Sequence, residues 1–199
     1  MFLNLVKRTD QLKKVGLSVV VMSGIIIFGG NSVYTLHSTS LFQKLGLDQQ
    51  TAKYMTGVFS VISFVCNVTF GLLMKCFRKK KILLSTTLGL TISTTLTAIF
   101  GNWNAQVFLI ISLATVLMGR AFVETGIWPL SFMLANELVE PELRMVAQSS
   151  MVFIMYVSLG VMAFLTPILI HYLEHWIFAI CSCFSLSSLV FLYFKLPDV

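Results

Sequence analysis

Residues 107–135 of the chain read VFLIISLATVLMGRAFVETGIWPLSFMLA, an almost continuous apolar run. An α-helix of about 20 apolar residues crosses the hydrocarbon core of a bilayer, so this run is long enough to span a membrane. Arg120 and Glu124 nevertheless lie near its middle, and Gly126 and Pro129 follow. Ionisable side chains within a span usually face the interior of the helix bundle. The run therefore predicts a spanning helix with a polar inner face and a break.

The rest of the chain is equally apolar. Its 199 residues are 57% hydrophobic and 11% charged, whereas soluble domains carry about 25% charged residues. The first apolar run lacks a small-residue cleavage pattern followed by a polar chain, so it is interpreted as a span and not as a signal peptide. The sequence predicts an all-α integral membrane protein with six transmembrane helices, at about 15–36, 54–74, 82–100, 107–135, 145–170 and 176–194.

The distribution of Lys and Arg among the loops predicts the orientation. Basic residues are concentrated before the first span and after the second, fourth and sixth spans. The loops on the opposite side contain Lys44 and Lys53. The positive-inside rule then places both termini in the cytoplasm. The net charge of +6 is explained by this bias and by contact with anionic lipid headgroups, so a nucleic-acid partner is not predicted.

Three smaller motifs carry no predicted chemistry. His171, Glu174 and His175 match the H-x-x-E-H pattern of one group of zinc peptidases, but they occupy a short turn between spans, and a polar interfacial turn is the preferred interpretation. Asn67 begins a glycosylation sequon, Asn67-Val68-Thr69, that lies inside the second span, where no transferase reaches it. The four cysteines predict no disulfide framework. No metal site, cofactor or enzyme activity is predicted.

Two charged loops are predicted to meet on the cytoplasmic side. The tract 77–81 reads FRKKK, and the loop 136–144 reads NELVEPELR, with three carboxylates. Charge pairs at helix ends suit a bundle that alternates between two states, because they form in one state and hydrate in the other. The candidate charge latch consists of Arg78, Lys79, Glu137 and Arg144. The basic tract is also interpretable as a lipid-binding patch or as a solvated loop.

Several segments, in order along the chain, resemble a known family. Residues 37–46 read HSTSLFQKLG, residues 77–79 read FRK, Glu124, Gly126, Pro129 and Glu137 follow at a fixed spacing, and residues 193–198 read YFKLPD. Together they resemble the carboxyl-terminal half of a sugar porter of the major facilitator superfamily, near the facilitative glucose transporters. The resemblance implies that residues 1–199 form one half of a major facilitator fold, with a three-plus-three inverted repeat.

The resemblance also implies a site between two six-helix halves. Transporters of this type bind solute near the midplane and alternate access by rocking one half against the other. Glu124 matches a glutamate of the family's tenth helix, which a Gly/Pro segment interrupts beside the cavity. Arg120 has no family counterpart, but at i,i+4 it can pair with Glu124. This charge pair is interpretable either as a self-neutralised structural pair or as a contact with the solute.

At the family's sugar-binding positions this chain departs from the pattern. In an ungapped comparison, the two glutamines of the seventh helix fall on Ile26 and Ile27, and a nearby asparagine falls on Ser32, with Asn31 one residue away. The remaining cavity candidates, besides Glu124, are Ile62, Phe132 and Tyr156. A buried sugar hydroxyl without a partner costs about 1–3 kcal/mol. We therefore expect the fold to be retained and glucose selectivity to be lost.

Two functions remain open at this stage. The first is transport of a small organic solute, of which a hexose is one candidate, by facilitated diffusion or proton coupling, together with a second six-helix half. The second is a non-transporting membrane protein that keeps the fold and acts through helix association. The lipid bilayer is a partner in both, and the resemblance favours the plasma membrane over internal membranes.

Overall fold

All regular elements in the described part of the chain are helical. The computed structural model describes residues 16, 37–44, 46–101, 106–138, 140–173 and 176–195. The elements are α1 (Ser38–Lys44), α2 (Gln49–Cys76), α3 (Lys79–Phe100), α4 (Gln106–Phe122), a π-helical turn (Val123–Ile127), α5 (Trp128–Leu138), a 3₁₀ turn (Pro141–Leu143), α6 (Arg144–Leu173) and α7 (Trp176–Lys195).

Five helical segments of the described residues are long and apolar enough to cross a membrane. Four of them are α2, α3, α6 and α7, and the fifth, Ile110–Leu134, joins α4, the π-helical turn and α5. They correspond to the second to sixth predicted spans. The first predicted span, 15–36, lies outside the described residues apart from Gly16, so the sixth helix stays a prediction.

The helices extend a few polar residues beyond the predicted apolar cores. Helix α2 begins five residues before the predicted span, because the Asp48 side chain accepts a hydrogen bond from the backbone N–H of Gln50 at 3.2 Å and caps the helix. Helix α3 includes Lys79 and Lys80 in its first turn. Hydropathy reports the lipid-spanning part of a helix, whereas caps and snorkelling lysines decide where it ends.

Helix α3 is the central element of the described bundle and packs against both α4 and α7. In its most apolar stretch 56% of the residues are buried, against 6% for α2. Its buried face is rich in threonine, and these hydroxyls donate back to carbonyls of their own helix, as from Thr87 to Leu83 at 2.7 Å and from Thr91 to Thr87 at 2.9 Å. Buried hydroxyls are thereby satisfied without leaving the helix.

Small residues bring α3 and α4 into close contact. A Cβ atom added to Gly89 would lie 2.7 Å from ring carbons of Phe122 on α4. Further along the same interface, the hydroxyls of Thr97 and Thr115 lie 2.9 Å apart. Small residues and interhelical hydroxyl contacts are typical of helix packing in lipid, where no hydrophobic effect drives helices together. This close interface fixes the position of the segment that carries Arg120 and Glu124.

Candidate functional site

The predicted break in the fourth span is a π-helical turn. Pro129 has no N–H to donate, and its ring would clash with the carbonyl one turn earlier in a regular α-helix. The chain adjusts through five residues of π-helix, Val123–Ile127, and the N–H of Trp128 donates to the carbonyl of Val123, five residues before it. Single π-helical turns inside α-helices frequently lie at functional sites. The turn contains Glu124 and directly follows the helix that carries Arg120.

Gly126 holds this turn against α3. A Cβ atom at position 126 would lie 2.6 Å from the side chain of Thr86. Thr86 itself is buried and donates its hydroxyl to the carbonyl of Ile82 at 2.8 Å, so it has little room to move. The turn is therefore seated on the most buried helix of the described bundle, which gives Glu124 a fixed place.

Arg120 and Glu124 form an ion pair in the middle of this span. Nη2 of Arg120 lies 2.6 Å from Oε1 of Glu124, and the two side chains are 14% and 10% exposed. Unpaired charges inside a membrane-spanning segment are costly, and pairing reduces that cost. The i,i+4 pairing predicted from the sequence is present, and it involves two residues that are both largely withdrawn from the protein surface.

Two residues of α2, Ser63 and Asn67, contact this ion pair, and neither is among the site residues predicted from the sequence. Nε of Arg120 donates to the hydroxyl of Ser63 at 3.0 Å. Nδ2 of Asn67 donates to Oε2 of Glu124 at 3.1 Å and to the carbonyl of Ser63, one helical turn earlier, at 2.8 Å. We call Ser63, Asn67, Arg120 and Glu124 the polar cluster.

The polar cluster has no net charge and reaches the protein surface. Its arginine and glutamate cancel, and its other two members are neutral. Glu124, taken as a whole residue, is 7% exposed, whereas Asn67 is an exposed residue of α2. The buried carboxylate is thus connected to the surface of the bundle through one amide. Such an arrangement suits hydrogen bonding to an uncharged polar group, since a charged group would bring an uncompensated charge into a largely buried, neutral cluster.

The other cavity candidates lie in different environments. Ile62 and Phe132 are half-buried, and Phe132 packs edge-on against Trp128 with ring centroids 5.8 Å apart. Tyr156 is 65% exposed on α6. The remaining candidates, Ile26, Ile27, Asn31 and Ser32, lie outside the described residues. The assignment of all these residues to one cavity stays a prediction.

The candidate charge latch contains one ion pair in the structure. Nζ of Lys79, at the start of α3, contacts Oε1 of Glu137 near the end of α5. Arg78 precedes α3 and Arg144 begins α6, and both are exposed. The structure therefore brings together the two predicted loops through Lys79 and Glu137, and it records no ion pair for Arg78 or Arg144 among the described residues.

The H-x-x-E-H motif and the cysteines are not part of the polar cluster. His171 is exposed near the end of α6, and the other two residues of its motif, Glu174 and His175, lie outside the described residues. No group of three or more potential metal ligands is found among the residues that the structure describes. The four cysteines are free.

The comparisons with known proteins identify the family. The chain belongs to the family described as Sugar (and other) transporter, since the family's sequence profile matches residues 1–199. The predicted resemblance to major facilitator sugar porters is thereby confirmed. No curated protein sequence matches the chain significantly.

Solved structures show a similar fold. The chain is similar to a D-xylose-proton symporter, with a TM-score of 0.77 and 19% sequence identity over 99% of this chain and 47% of the symporter. It is also similar to a peptide transporter, POT, solved with alafosfalin, with a TM-score of 0.62 and 16% identity over 92% of this chain and 37% of that one. The chain thus spans less than half the length of each of these two transporter structures.

Proposed function

We propose that the chain is the carboxyl-terminal half of a solute transporter of the sugar-porter type that works by alternating access. The family and the fold support this role, as does the match to about half of a D-xylose-proton symporter. Transporters of this kind bind solute between two halves. In this proposal a second six-helix half faces the described bundle, and the three-plus-three inverted repeat includes the predicted first span, 15–36.

The polar cluster is the observation that carries this proposal. Four polar side chains converge where a π-helical turn interrupts a spanning helix, and irregular backbone at membrane depth is tolerated where protein buries it or a cavity borders it. The described contacts link its members across two helices, as between Nδ2 of Asn67 and Oε2 of Glu124. The exposed face of Asn67 is the point at which a solute reaches the cluster.

The cluster favours an uncharged solute with few hydroxyls. Its net charge is zero, and the positions that correspond to sugar-binding amides hold Ile26, Ile27 and Ile62. An unmatched hydroxyl in such a site would cost about 1–3 kcal/mol. A hexose held by a few contacts, or a less polar organic solute, is therefore the proposed cargo.

The ion pair of Lys79 and Glu137 is the proposed latch. Lys79 lies at the amino-terminal, positive end of the α3 dipole, and Glu137 lies at the carboxyl-terminal, negative end of α5. Each charge is unfavourable at its own helix end, and the pair offsets both effects. Cross-linking Lys79→Cys to Glu137→Cys should stop transport; transport that continues unchanged would remove the latch from the mechanism.

The end of the bundle that contains Lys79 and Glu137 also bears on the orientation of the protein in the membrane. We propose that this end of the bundle and both termini lie in the cytoplasm, because basic residues precede α3 and the positive-inside rule favours that side for them. The plasma membrane is the proposed location.

Solute uptake tests the proposed site. The chain, joined to the amino-terminal six-helix half of a sugar porter, is reconstituted in liposomes, and uptake of labelled hexoses and of less polar analogues is measured. Glu124→Gln should raise KM or lower kcat at least tenfold, because it removes the negative charge that faces Arg120, whereas Lys53→Gln, at an exposed position, should not. Uptake that is equal in both variants would remove the polar cluster from the transport pathway.

A further inference from the structure

Two apolar grooves meet at the first turns of α3. One groove, of about 460 Å³, lies between α3 and α7, and its walls include Leu84, Leu88, Leu189, Val190 and Phe194. The other, of about 330 Å³, lies on the side of α3 that faces the end of α2, and its walls include Leu73, Phe77, Ile82 and Thr86. Lys81 and Ser85 line both grooves. These two residues, one helical turn apart, form the ridge that separates them.

Lys81 lies at the height of a lipid headgroup. It is exposed, and the apolar part of α3 begins at the next residue, Ile82. Aromatic residues surround it at the same end of the bundle, since Phe77 is 57% exposed and Tyr193 is 65% exposed. Exposed aromatic side chains of spanning helices concentrate at the boundary between hydrocarbon and headgroups. Lys81 therefore lies at the polar end of two grooves whose other walls are mainly apolar.

Exposed basic residues are concentrated near Lys81 in the chain. Lys75 lies in the last turn of α2, and Arg78 directly precedes α3. Both are exposed. Lys79 is paired with Glu137, which neutralises its charge. Juxtamembrane basic clusters attract anionic lipid, whereas a headgroup without net charge does not experience this attraction.

We propose that this ridge is a binding site for one anionic phospholipid with two acyl chains. One acyl chain lies in the groove between α3 and α7, the other lies in the groove beside Phe77, and the phosphate contacts the ammonium group of Lys81. The forked shape matches a diacyl lipid, and the charge matches an anionic headgroup. This site is separate from the polar cluster and does not depend on the proposed transport function.

Retention of lipid by the purified full chain tests the proposal. The protein is extracted in mild detergent, equilibrated with equal amounts of phosphatidylglycerol and phosphatidylcholine, and examined by native mass spectrometry. We expect one phosphatidylglycerol to be retained in preference, and Lys81→Gln to reduce that preference about fivefold, the effect of one lysine near a membrane surface. Lys53→Gln, which changes a lysine at the opposite end of α2, should leave the preference unchanged.

Further measurements separate the contribution of the two grooves to lipid binding from the contribution of the charge. Lysophosphatidylglycerol, with one acyl chain, should be retained several-fold less than the diacyl lipid, and inorganic phosphate should not displace the diacyl lipid. Leu84→Trp, which fills the larger groove, should lower retention while leaving the headgroup preference in place. Equal retention of both headgroups, equal retention of one-chain and two-chain lipids, or displacement by phosphate would each overturn the proposal. Association of a second copy of the chain at this ridge in place of lipid would also overturn it.

Discussion

Asn67 and Glu124 are 57 residues apart in the chain, yet Nδ2 of Asn67 lies 3.1 Å from Oε2 of Glu124. This contact joins an exposed residue of α2 to a buried carboxylate in the π-helical turn. It also means that both oxygens of Glu124 are occupied, one by Arg120 and the other by Asn67. The carboxylate is therefore held by two helices and not only by its own.

Replacing Asn67 with Ala should destabilise the chain by about 1–2 kcal/mol, because one oxygen of a buried carboxylate loses its donor. Thermal unfolding in detergent measures the change. Ser60→Ala is the matched control, since Ser60 is exposed on the same helix and bonds only to the carbonyl of Thr56 at 3.4 Å. Equal melting temperatures for the two variants would show that the Asn67–Glu124 contact has no energetic weight.

The ion pair should show strong coupling in a double-mutant cycle. Arg120→Gln or Glu124→Gln alone leaves a largely buried charge without its partner, which typically costs about 3–5 kcal/mol. The double variant removes both charges and should be more stable than either single variant. Unfolding of all four proteins is compared under one detergent condition. Additive losses would contradict a paired, buried cluster.

Gly126→Ala should disturb the seat of the π-helical turn. Its new Cβ would lie 2.6 Å from Thr86, and overpacking of this kind costs about 1–3 kcal/mol. The control is Gly160→Ala on α6, where a Cβ would meet nothing within 4 Å. Thermal unfolding should show a lower midpoint for the first variant only. A similar midpoint for both would indicate that α3 and the turn separate easily.

Five of the six spans and both ion pairs can be predicted from the sequence, for identifiable physical reasons. Apolar length reports a span directly, and i,i+4 spacing brings Arg120 next to Glu124 on any helix. The approach of Lys79 to Glu137 required only that the second and fourth spans end on the same side of the membrane. These predictions depend on local chain geometry or on topology, and both are readable from one sequence.

The contacts of α2 with Arg120 and Glu124 cannot be predicted from the sequence in the same way. In the sequence, Asn67 stands out only as part of a glycosylation sequon inside a span, and nothing distinguishes Ser63 from the other serines. Their contacts depend on the rotation of α2 about its own axis, which tertiary packing decides. The Gly/Pro pattern predicted a break, but not that a π-helical turn would form it and rotate Glu124 toward Asn67. The alignment with the family pointed to Ile62, one residue before Ser63.

Membrane topology is tested by cysteine labelling from the outside of intact cells. Lys79→Cys should be protected and Gln49→Cys should react, because the positive-inside rule places the start of α3 in the cytoplasm and the start of α2 outside. Both positions lie at helix starts, so the two labelling sites have similar local structure. Permeabilised cells provide the control for the reactivity of Lys79→Cys. The opposite pattern would invert the proposed orientation.

Uptake of solute into liposomes tests whether this chain is one half of a two-half transporter. Saturable uptake of labelled hexoses and of less polar analogues is measured with the 199-residue chain alone and with the chain joined to an amino-terminal six-helix half. No saturable flux is expected from the chain alone, because a single half leaves the polar cluster facing lipid or water. Saturable flux is expected from the joined protein. Saturable flux from the chain alone, unchanged by Glu124→Gln, would contradict both the need for a second half and the assignment of the polar cluster to the pathway.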